Sequence, residues 1–240
     1  MQDDFRQDNP ELGERPERRR IRREEIPPTP MTWTLLGICL VVFLYANLYR
    51  GDELFQLQLA LNPADGRTLP GLFSHMFVHA DGFHLFSNML GLYIVGRWME
   101  IRYGSWRFLL LFYISAVVAG MAQVVEAPGS DLVGASGGLF ALFAAFVRHY
   151  PNVRFYIIFP PIPWPLPAWL LVGLMAAYNI VLWAGAILQV SWLSTNIAYT
   201  AHLAGLLSGF ALSLIMIPPQ GSAEAGARRH RELDAQQHDS

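Results

Sequence analysis

A serine set among glycines is the strongest candidate for chemistry in this chain. Ser136 lies in the sequence Gly-Ala-Ser-Gly-Gly over residues 134–138, where a short polar loop gives way to an apolar run that ends at Tyr150. At the head of a helix, the N–H groups of the first turn are free to point at whatever lies beside the hydroxyl. Serine and glycine are also common in membrane helices, where a serine can bond back to its own helix. The motif therefore predicts a nucleophile only if a base matches it.

The composition indicates a membrane protein. Hydrophobic residues make up 53% of the 240 residues and charged residues only 15%, and most of the charges lie in residues 1–30 and 219–240. This distribution is typical of a polytopic membrane protein with two polar tails, which we expect to be disordered. The single cysteine, Cys39, excludes an intramolecular disulfide. The net charge of −2 sums a mixed-sign tail and a nearly neutral core, so it does not favour nucleic acid as a partner.

Six apolar runs separate these tails, at residues 32–49, 83–101, 105–125, 136–150, 166–188 and 198–217. A membrane-spanning helix needs about 20 residues, and all runs but the fourth come near that length. The sequence thus predicts an all-α bundle of six transmembrane helices over residues 31–218. The proline-rich stretch 151–167 cannot be helical throughout, so we expect a stiff connection there. We expect the loop over residues 50–82 to lie partly in the membrane interface.

The arginines predict the orientation of the chain in the membrane. If both tails lie inside, the outer segments contain only Arg50 and Arg67, and all the other arginines fall on inner segments. Positive charge is enriched on the cytoplasmic side of membrane proteins, so both tails are predicted to be cytoplasmic. The arginine cluster over residues 18–23 has the composition of a nucleic-acid patch, but its place just before the first run favours a topology anchor. We expect that first run to be retained as a signal anchor.

The short fourth run sets the depth of the serine. As a helix its residues 136–150 reach about 22 Å, against a hydrocarbon core of about 30 Å. Ser136 is therefore predicted to lie below the outer surface, in a hollow that water reaches. His202 falls at a similar depth in the last run. Gly205 and Gly209 share the helix face of His202 and would allow close approach of the helix that begins at Ser136.

A histidine level with a serine is the arrangement that general-base activation of a hydroxyl requires. We therefore predict that Ser136 is a nucleophile and that His202 is its base. The alternative is a histidine that only bonds across a helix interface. Glu126 and Asp131 flank the serine loop near water, and no carboxylate stands out as a third member, so we expect a Ser–His dyad.

Further polar residues lie around the outer end of the second run. His84 and Asn88 are four residues apart and share a helix face. Both can donate hydrogen bonds, and with the Ser136 backbone N–H they would form an oxyanion hole. Together with His75 and His79, His84 raises zinc as an alternative. An intramembrane metalloprotease should show His-Glu-x-x-His, and no carboxylate lies between His75 and His79, so neither a metal nor a cofactor is predicted.

These motifs together resemble those of the rhomboid intramembrane serine proteases. They are His75-x3-His79-x4-His84-x3-Asn88 followed by Glu100 and Gly104, then Gly134-Ala135-Ser136-Gly137, then Ala201-His202-x2-Gly205-x3-Gly209. The resemblance implies a six-helix core in which Ser136 is the nucleophile and His202 the base. It also implies an oxyanion hole formed by His84, Asn88 and the Ser136 N–H. Structural roles for His79 and Glu100, and a substrate gate at the fifth helix and the loop after it, are implied in the same way.

The chain departs from the family pattern at one place. Many rhomboids have a Trp-Arg pair in the first outer loop, where this chain has Pro70-Gly71 and its nearest arginine is Arg67. We expect this loop to be held differently. The departure does not touch the predicted catalytic residues.

The sequence thus predicts an intramembrane serine endopeptidase that cleaves single-span membrane proteins near the outer face of a bacterial inner membrane. Its partners would be those substrates and the lipid bilayer. A rhomboid-like protein that only binds and escorts client transmembrane helices is the alternative, and such a protein would be expected to lack the serine or the histidine. A channel or transporter should carry ion-coupling carboxylates in its spans, and Glu100 is the only candidate near one. No motif indicates the oligomeric state.

Overall fold

The computed structural model describes residues 28–48, 59–62, 64, 68–159, 162–193, 197–216 and 218. The two predicted tails lie outside these residues almost entirely. So do most of the arginines that predict the orientation, including both that fall on outer segments. The tail predictions and the arginine asymmetry therefore stay predictions.

The described chain is mostly helical. Its helices are α1 (Pro30–Leu48), α2 (Thr68–Ser74), α3 (Gly82–Gly91), α4 (Arg97–Tyr103), α5 (Ser105–Glu126), α6 (Ser136–His149), α7 (Ala168–Ile187) and α8 (Tyr199–Ile215). Short 3₁₀ turns cover His75–Phe77 and Ser191–Leu193, and a π-helical segment, Leu92–Gly96, joins α3 to α4. Helices α1, α5 and α7 are long and apolar enough to cross a membrane, whereas α6 and α8 are shorter. The chain is an integral membrane protein.

The connection between α6 and α7 is the part of the fold that the all-α prediction missed. It forms an antiparallel hairpin in which β1 (Arg154–Phe159) pairs with β2 (Ile162–Pro167). Prolines occupy alternate positions of β2, at residues 163, 165 and 167. Successive N–H groups of a strand point to opposite edges, so the N–H groups that prolines two residues apart lack all fall on one edge, the free one. The prolines exclude a helix, as predicted, and still permit a strand.

Helix α6 lies at the centre of the bundle. Nearly all of its residues from Gly137 to Phe146 are buried, and they pack against α5 and α8. On the α5 side the contact is made by large side chains, including Phe108, Leu111 and Phe112. Helices α1 and α7 instead expose many of their apolar side chains. A helix that is apolar all round and yet exposed within the fold is expected to face lipid.

A buried carboxylate ties the start of α1 to the corner between α4 and α5. Glu100 is 2% exposed and accepts four hydrogen bonds. The donors are Met31 N at 2.9 Å, Thr32 N at 2.8 Å, Thr32 Oγ1 at 2.7 Å and Ser105 Oγ at 2.6 Å. The N–H groups that begin a helix have no partners within it and favour a nearby negative charge. Glu100 thus holds α1 against the α4–α5 corner, a structural function that argues against ion coupling by this carboxylate.

Candidate active site

The serine is positioned by the sharp turn that precedes α6. Gly134 has a φ of +116°, in the left-handed region that favours glycine, and α6 begins two residues later at Ser136. The site also lacks room for a side chain, because a Cβ on Gly134 would lie 2.7 Å from the ring of His84. Ser136 is the first residue of α6, at the end of the helix where backbone N–H groups have no partner within the helix.

Ser136 and His202 are in direct contact. The Nε2 atom of His202 lies 2.8 Å from the Oγ atom of Ser136, which is hydrogen-bond distance. The ring of Phe140, one turn further along α6, stacks on the imidazole with ring centroids 4.2 Å apart and planes only 5° apart. The stack restrains the plane of the imidazole. Sequence reasoning did not single out Phe140, although its place four residues after Ser136 puts it on the same helix face.

Small residues bring α6 and α8 together at the level of this pair. A Cβ on Gly205 would overlap the carbonyl oxygen of Gly137, and a Cβ on Gly209 would overlap the backbone of Ala141. We refer to these four residues as the α6–α8 seam. The close approach expected of the two glycines of α8 is present. Because the helices meet backbone to backbone, the spacing between Ser136 and His202 does not depend on flexible side chains.

A third polar side chain reaches the histidine from α7. The Oδ1 atom of Asn179 lies 2.9 Å from Nδ1 of His202, and Asn179 is 2% exposed. Its Nδ2 atom donates a hydrogen bond to the carbonyl oxygen of Met175, one turn earlier, at 2.8 Å. Sequence reasoning missed this residue because it searched for a carboxylate. The available signal was an amide within an otherwise apolar run.

The two residues predicted to stabilise an oxyanion lie on α3. The ring of His84 covers Gly134 and so lies beside the serine turn. Asp81 caps α3, with its carboxylate accepting a hydrogen bond from the backbone N of His84 at 2.8 Å. Asn88 is buried, and its Nδ2 donates to the backbone carbonyl of His84 at 2.9 Å. One amide hydrogen of Asn88 is thus used within α3, which leaves the second for another acceptor.

The loop before Ser136 is bonded to the segment that precedes α2. Leu61 and Leu132 form an antiparallel bridge with N–O distances of 3.0 Å and 2.9 Å. Beside this bridge, Nδ2 of Asn62 donates to Oδ1 of Asp131 at 2.7 Å. These three bonds fasten that segment to the loop that leads into Ser136.

The remaining histidines of the first motif have packing positions. The backbone oxygen of buried His75 accepts a hydrogen bond from Gly134 N at 2.9 Å, and its Nδ1 lies 2.9 Å from the carbonyl oxygen of Gly71. The ring of His79 is buried and meets the ring of His84 edge-on, with centroids 5.1 Å apart. Among the residues that the structure describes, no group of three or more His, Cys, Asp or Glu side chains is arranged to hold a metal ion.

The geometry provides the parts of nucleophilic catalysis on a carbonyl group. A hydroxyl contacts an imidazole nitrogen, the other imidazole nitrogen contacts an amide oxygen, and the hydroxyl lies at the end of α6 where the first N–H groups have no partner within the helix. A nucleophile, a base and a group that orients the base form the general pattern of a catalytic triad.

Comparison with known proteins finds related sequences. A family model described as the Rhomboid domain matches residues 67–219. The chain is 29% identical over 191 residues to the rhomboid protease GlpG of Klebsiella pneumoniae (strain 342). The matched region covers 78% of this chain and 63% of that protein. It is 27% identical over 191 residues to the rhomboid protease GlpG of Salmonella typhi, with the same coverage. The chain therefore spans somewhat less than two thirds of the length of these curated relatives.

Proposed function

This chain belongs to the rhomboid family, and from that premise we propose that it is an intramembrane serine protease with Ser136 as nucleophile and His202 as general base. The observation that carries the proposal is the 2.8 Å contact between Ser136 Oγ and His202 Nε2. A general base must lie within hydrogen-bond reach of the proton that it removes, and this pair meets that requirement. The relatives named as rhomboid proteases support the same reaction class.

The first half of the reaction forms an acyl-enzyme. His202 Nε2 takes the hydroxyl proton of Ser136 while Oγ bonds to the carbonyl carbon of the scissile peptide. The carbonyl oxygen becomes an oxyanion. The C–N bond then breaks, and the leaving amine takes the proton from His202. The part of the substrate on the amino side remains as an ester on Ser136.

Three donors are proposed for the oxyanion. The Ser136 backbone N–H has no partner within α6 because Ser136 is its first residue, the His84 ring lies over Gly134, and Asn88 has a second amide hydrogen. Donors aimed at the position where charge develops stabilise the transition state more than the ground state. We assign His84 and Asn88 to this role from their places on α3 beside the serine turn.

The second half of the reaction consumes water. A water molecule attacks the ester carbon, gives its proton to His202 Nε2, and the tetrahedral species collapses as Ser136 recovers that proton. The reaction written in this way needs only these side chains, the oxyanion donors and water, so we propose that it works without metal or cofactor. A hollow open to the outer side of the membrane would supply the water.

We further propose that six helical segments cross the membrane, that residues 31–218 form the catalytic domain, and that both tails are cytoplasmic in a bacterial inner membrane. The described arginines support this orientation, because they lie at the end of the bundle remote from Ser136. They are Arg97, Arg102, Arg107, Arg148 and Arg154. The 14 residues of α6 span about 21 Å, so Ser136 would lie below the outer surface. Substrates are then single-span membrane proteins cut near their outer end.

The proposal is tested by cleavage of a single-span model substrate by the purified full chain in lipid vesicles. Ser136→Ala should abolish cleavage while the protein stays folded. Ser208→Ala is the matched control, because its hydroxyl bonds back to the Gly205 carbonyl at 3.1 Å and it takes no part in the site. A chelator should leave the wild-type rate unchanged.

Two results would contradict the proposal. Cleavage by Ser136→Ala at the wild-type rate would remove the serine from the mechanism, and loss of cleavage with chelator would point to a metal. If no substrate is cut and a fluorophosphonate fails to label the wild type, the rhomboid-like escort of client helices becomes the better interpretation.

A further inference from the structure

Asn179 is the one polar side chain that α7 brings to the site. Helix α7 is otherwise apolar and exposes most of its large side chains, yet Asn179 is 2% exposed and contacts His202. We propose that Asn179 is the positioning residue of the reaction, and that it selects which nitrogen of His202 is free to accept the proton of Ser136. The inference rests on the proposed function and deepens it.

The orientation of the amide follows from its other hydrogen bond. Nδ2 of Asn179 lies 2.8 Å from the carbonyl oxygen of Met175, which can only accept. Rotation of the amide by half a turn would place Oδ1 against that carbonyl, and two acceptors would then face each other. The NH₂ group therefore faces Met175, and Oδ1 faces the histidine.

The tautomer of His202 follows from the orientation of the amide. Oδ1 is an acceptor only, so the atom that meets it at 2.9 Å must carry a hydrogen, and that atom is Nδ1 of His202. A neutral imidazole has one N–H, so Nε2 is left with its lone pair. Nε2 is the atom that lies 2.8 Å from Ser136 Oγ. Donation therefore runs in one direction through the four residues. The Ser136 hydroxyl donates to His202, His202 donates to Asn179, and Asn179 donates to Met175.

The stacking of Phe140 does not make Asn179 redundant. The parallel rings, 4.2 Å apart, restrain the plane of the imidazole, but an aromatic face does not distinguish Nδ1–H from Nε2–H. Asn179 restrains the ring within that plane and assigns the proton. The two contacts have different functions: Phe140 restrains the plane of the ring, and Asn179 determines which ring nitrogen carries the hydrogen.

An uncharged positioning residue has a further consequence. An aspartate in this place stabilises the imidazolium that forms when the serine loses its proton. The Asn179 oxygen carries only a partial charge, so it orients His202 with weaker support for the charged form. Asn179→Asp should therefore favour protonated His202 and move the acidic limb of the pH–rate profile to higher pH.

The test measures turnover and fluorophosphonate labelling of Ser136 against pH for wild type, Asn179→Ala, Asn179→Asp and Asn47→Ala. Asn47 is the matched control because its Nδ2 makes the same bond to the carbonyl four residues earlier, Phe43 O at 2.8 Å, without a histidine partner. We expect Asn179→Ala to lower turnover and labelling about 10-fold to 100-fold with little change in KM. Asn179→Asp should recover part of the rate with a displaced acidic limb, and Asn47→Ala should match the wild type.

The outcomes separate this inference from the proposed function. Labelled wild type together with unchanged rates and pH profiles in both Asn179 variants would overturn the positioning role and leave the protease intact. A fall in kcat that comes with a clear fall in the thermal midpoint, and no displaced acidic limb of the pH–rate profile in Asn179→Asp, would also overturn it. That combination indicates a packing role only. If the wild type neither cleaves nor labels, the proposed function fails and this inference fails with it.

Discussion

His202 is held from two sides, and the two contacts differ in kind. On the α6 side, the seam brings backbone against backbone, since Gly205 meets Gly137 and Gly209 meets Ala141 with no room for a Cβ. On the α7 side, a single amide reaches the ring from a helix whose large side chains are mostly exposed. The serine and its base thus share a closely packed unit, whereas the group that orients the base belongs to a peripheral helix.

The two contacts control different properties of the proton transfer. One sets the distance between Ser136 and His202, and the other sets which nitrogen of His202 accepts the proton. The seam fixes how far Ser136 is from His202, because neither helix can shift past the other without a clash. The α7 contact fixes which nitrogen is protonated, and it is lost if α7 moves outward. We therefore expect substitutions in the seam to lower activity and stability together. Changes in α7 should alter activity with a smaller cost in stability.

The largest effect is expected from Gly205→Val, which breaks the seam. The added side chain would overlap the carbonyl of Gly137, and overpacking of this kind costs about 1–3 kcal/mol or more. Turnover should fall at least about 100-fold, because misplacement of catalytic groups by about 1 Å has that effect. Assays of turnover and of the thermal midpoint measure both changes. Gly173→Val on α7 is the control, since nothing lies within 4 Å of its Cβ position. Equal effects of the two variants would contradict the role given to the seam.

A smaller effect is expected from His84→Ala combined with Asn88→Ala, which leaves both helix contacts in place. Loss of oxyanion donors should slow turnover at least about tenfold while KM stays near the wild-type value. Steady-state kinetics with the model substrate separates the two parameters. Ser87→Ala is the control on the same helix, because Ser87 is exposed and its hydroxyl only bonds back to the His84 carbonyl at 3.1 Å. Unchanged turnover in the double variant would remove both residues from the oxyanion role.

The smallest effect on turnover is expected from Leu182→Ala, and its effect on stability is best compared with that of Leu142→Ala. Both leucines are buried, at 2% and 0% exposure, but Leu182 lies on α7 and Leu142 on the central helix α6. Truncation of a buried leucine costs about 2–5 kcal/mol where the surroundings cannot relax, and less where they can. Thermal unfolding should therefore show a clearly lower midpoint for Leu142→Ala than for Leu182→Ala. A reversed order would contradict the view of α7 as the more loosely held helix.

Much of this fold was readable from the sequence, because the apolar runs are long and end at prolines, glycines or charges. Helices occupy those runs with ends that differ by only a few residues. The hairpin over residues 154–167 was missed, since prolines usually argue against a strand. The sequence does not reveal which strand pairs with this segment. Once β1 is known to be the partner, prolines at alternate positions of β2 can be seen to spare the N–H groups that the hairpin uses.

The site was readable to a different extent. Ser136, His202 and the small residues around them were singled out from residue type and helical spacing, and the structure places the hydroxyl of Ser136 2.8 Å from Nε2 of His202. The roles of Asn179 and Phe140 could not be predicted in this way, because an amide or a phenylalanine in an apolar run indicates no function until the residue that it contacts is known. Their roles depend on how α6, α7 and α8 pack, which the spacing within one helix does not specify.

The most direct test of the central claim is to locate the adduct of a fluorophosphonate by mass spectrometry in the wild type and in His202→Ala. The account predicts an adduct on Ser136 of the wild type, none on Ser208, and labelling of Ser136 that is slowed at least about 100-fold in His202→Ala. An adduct on another residue, or labelling of Ser136 at the wild-type rate without His202, would contradict it.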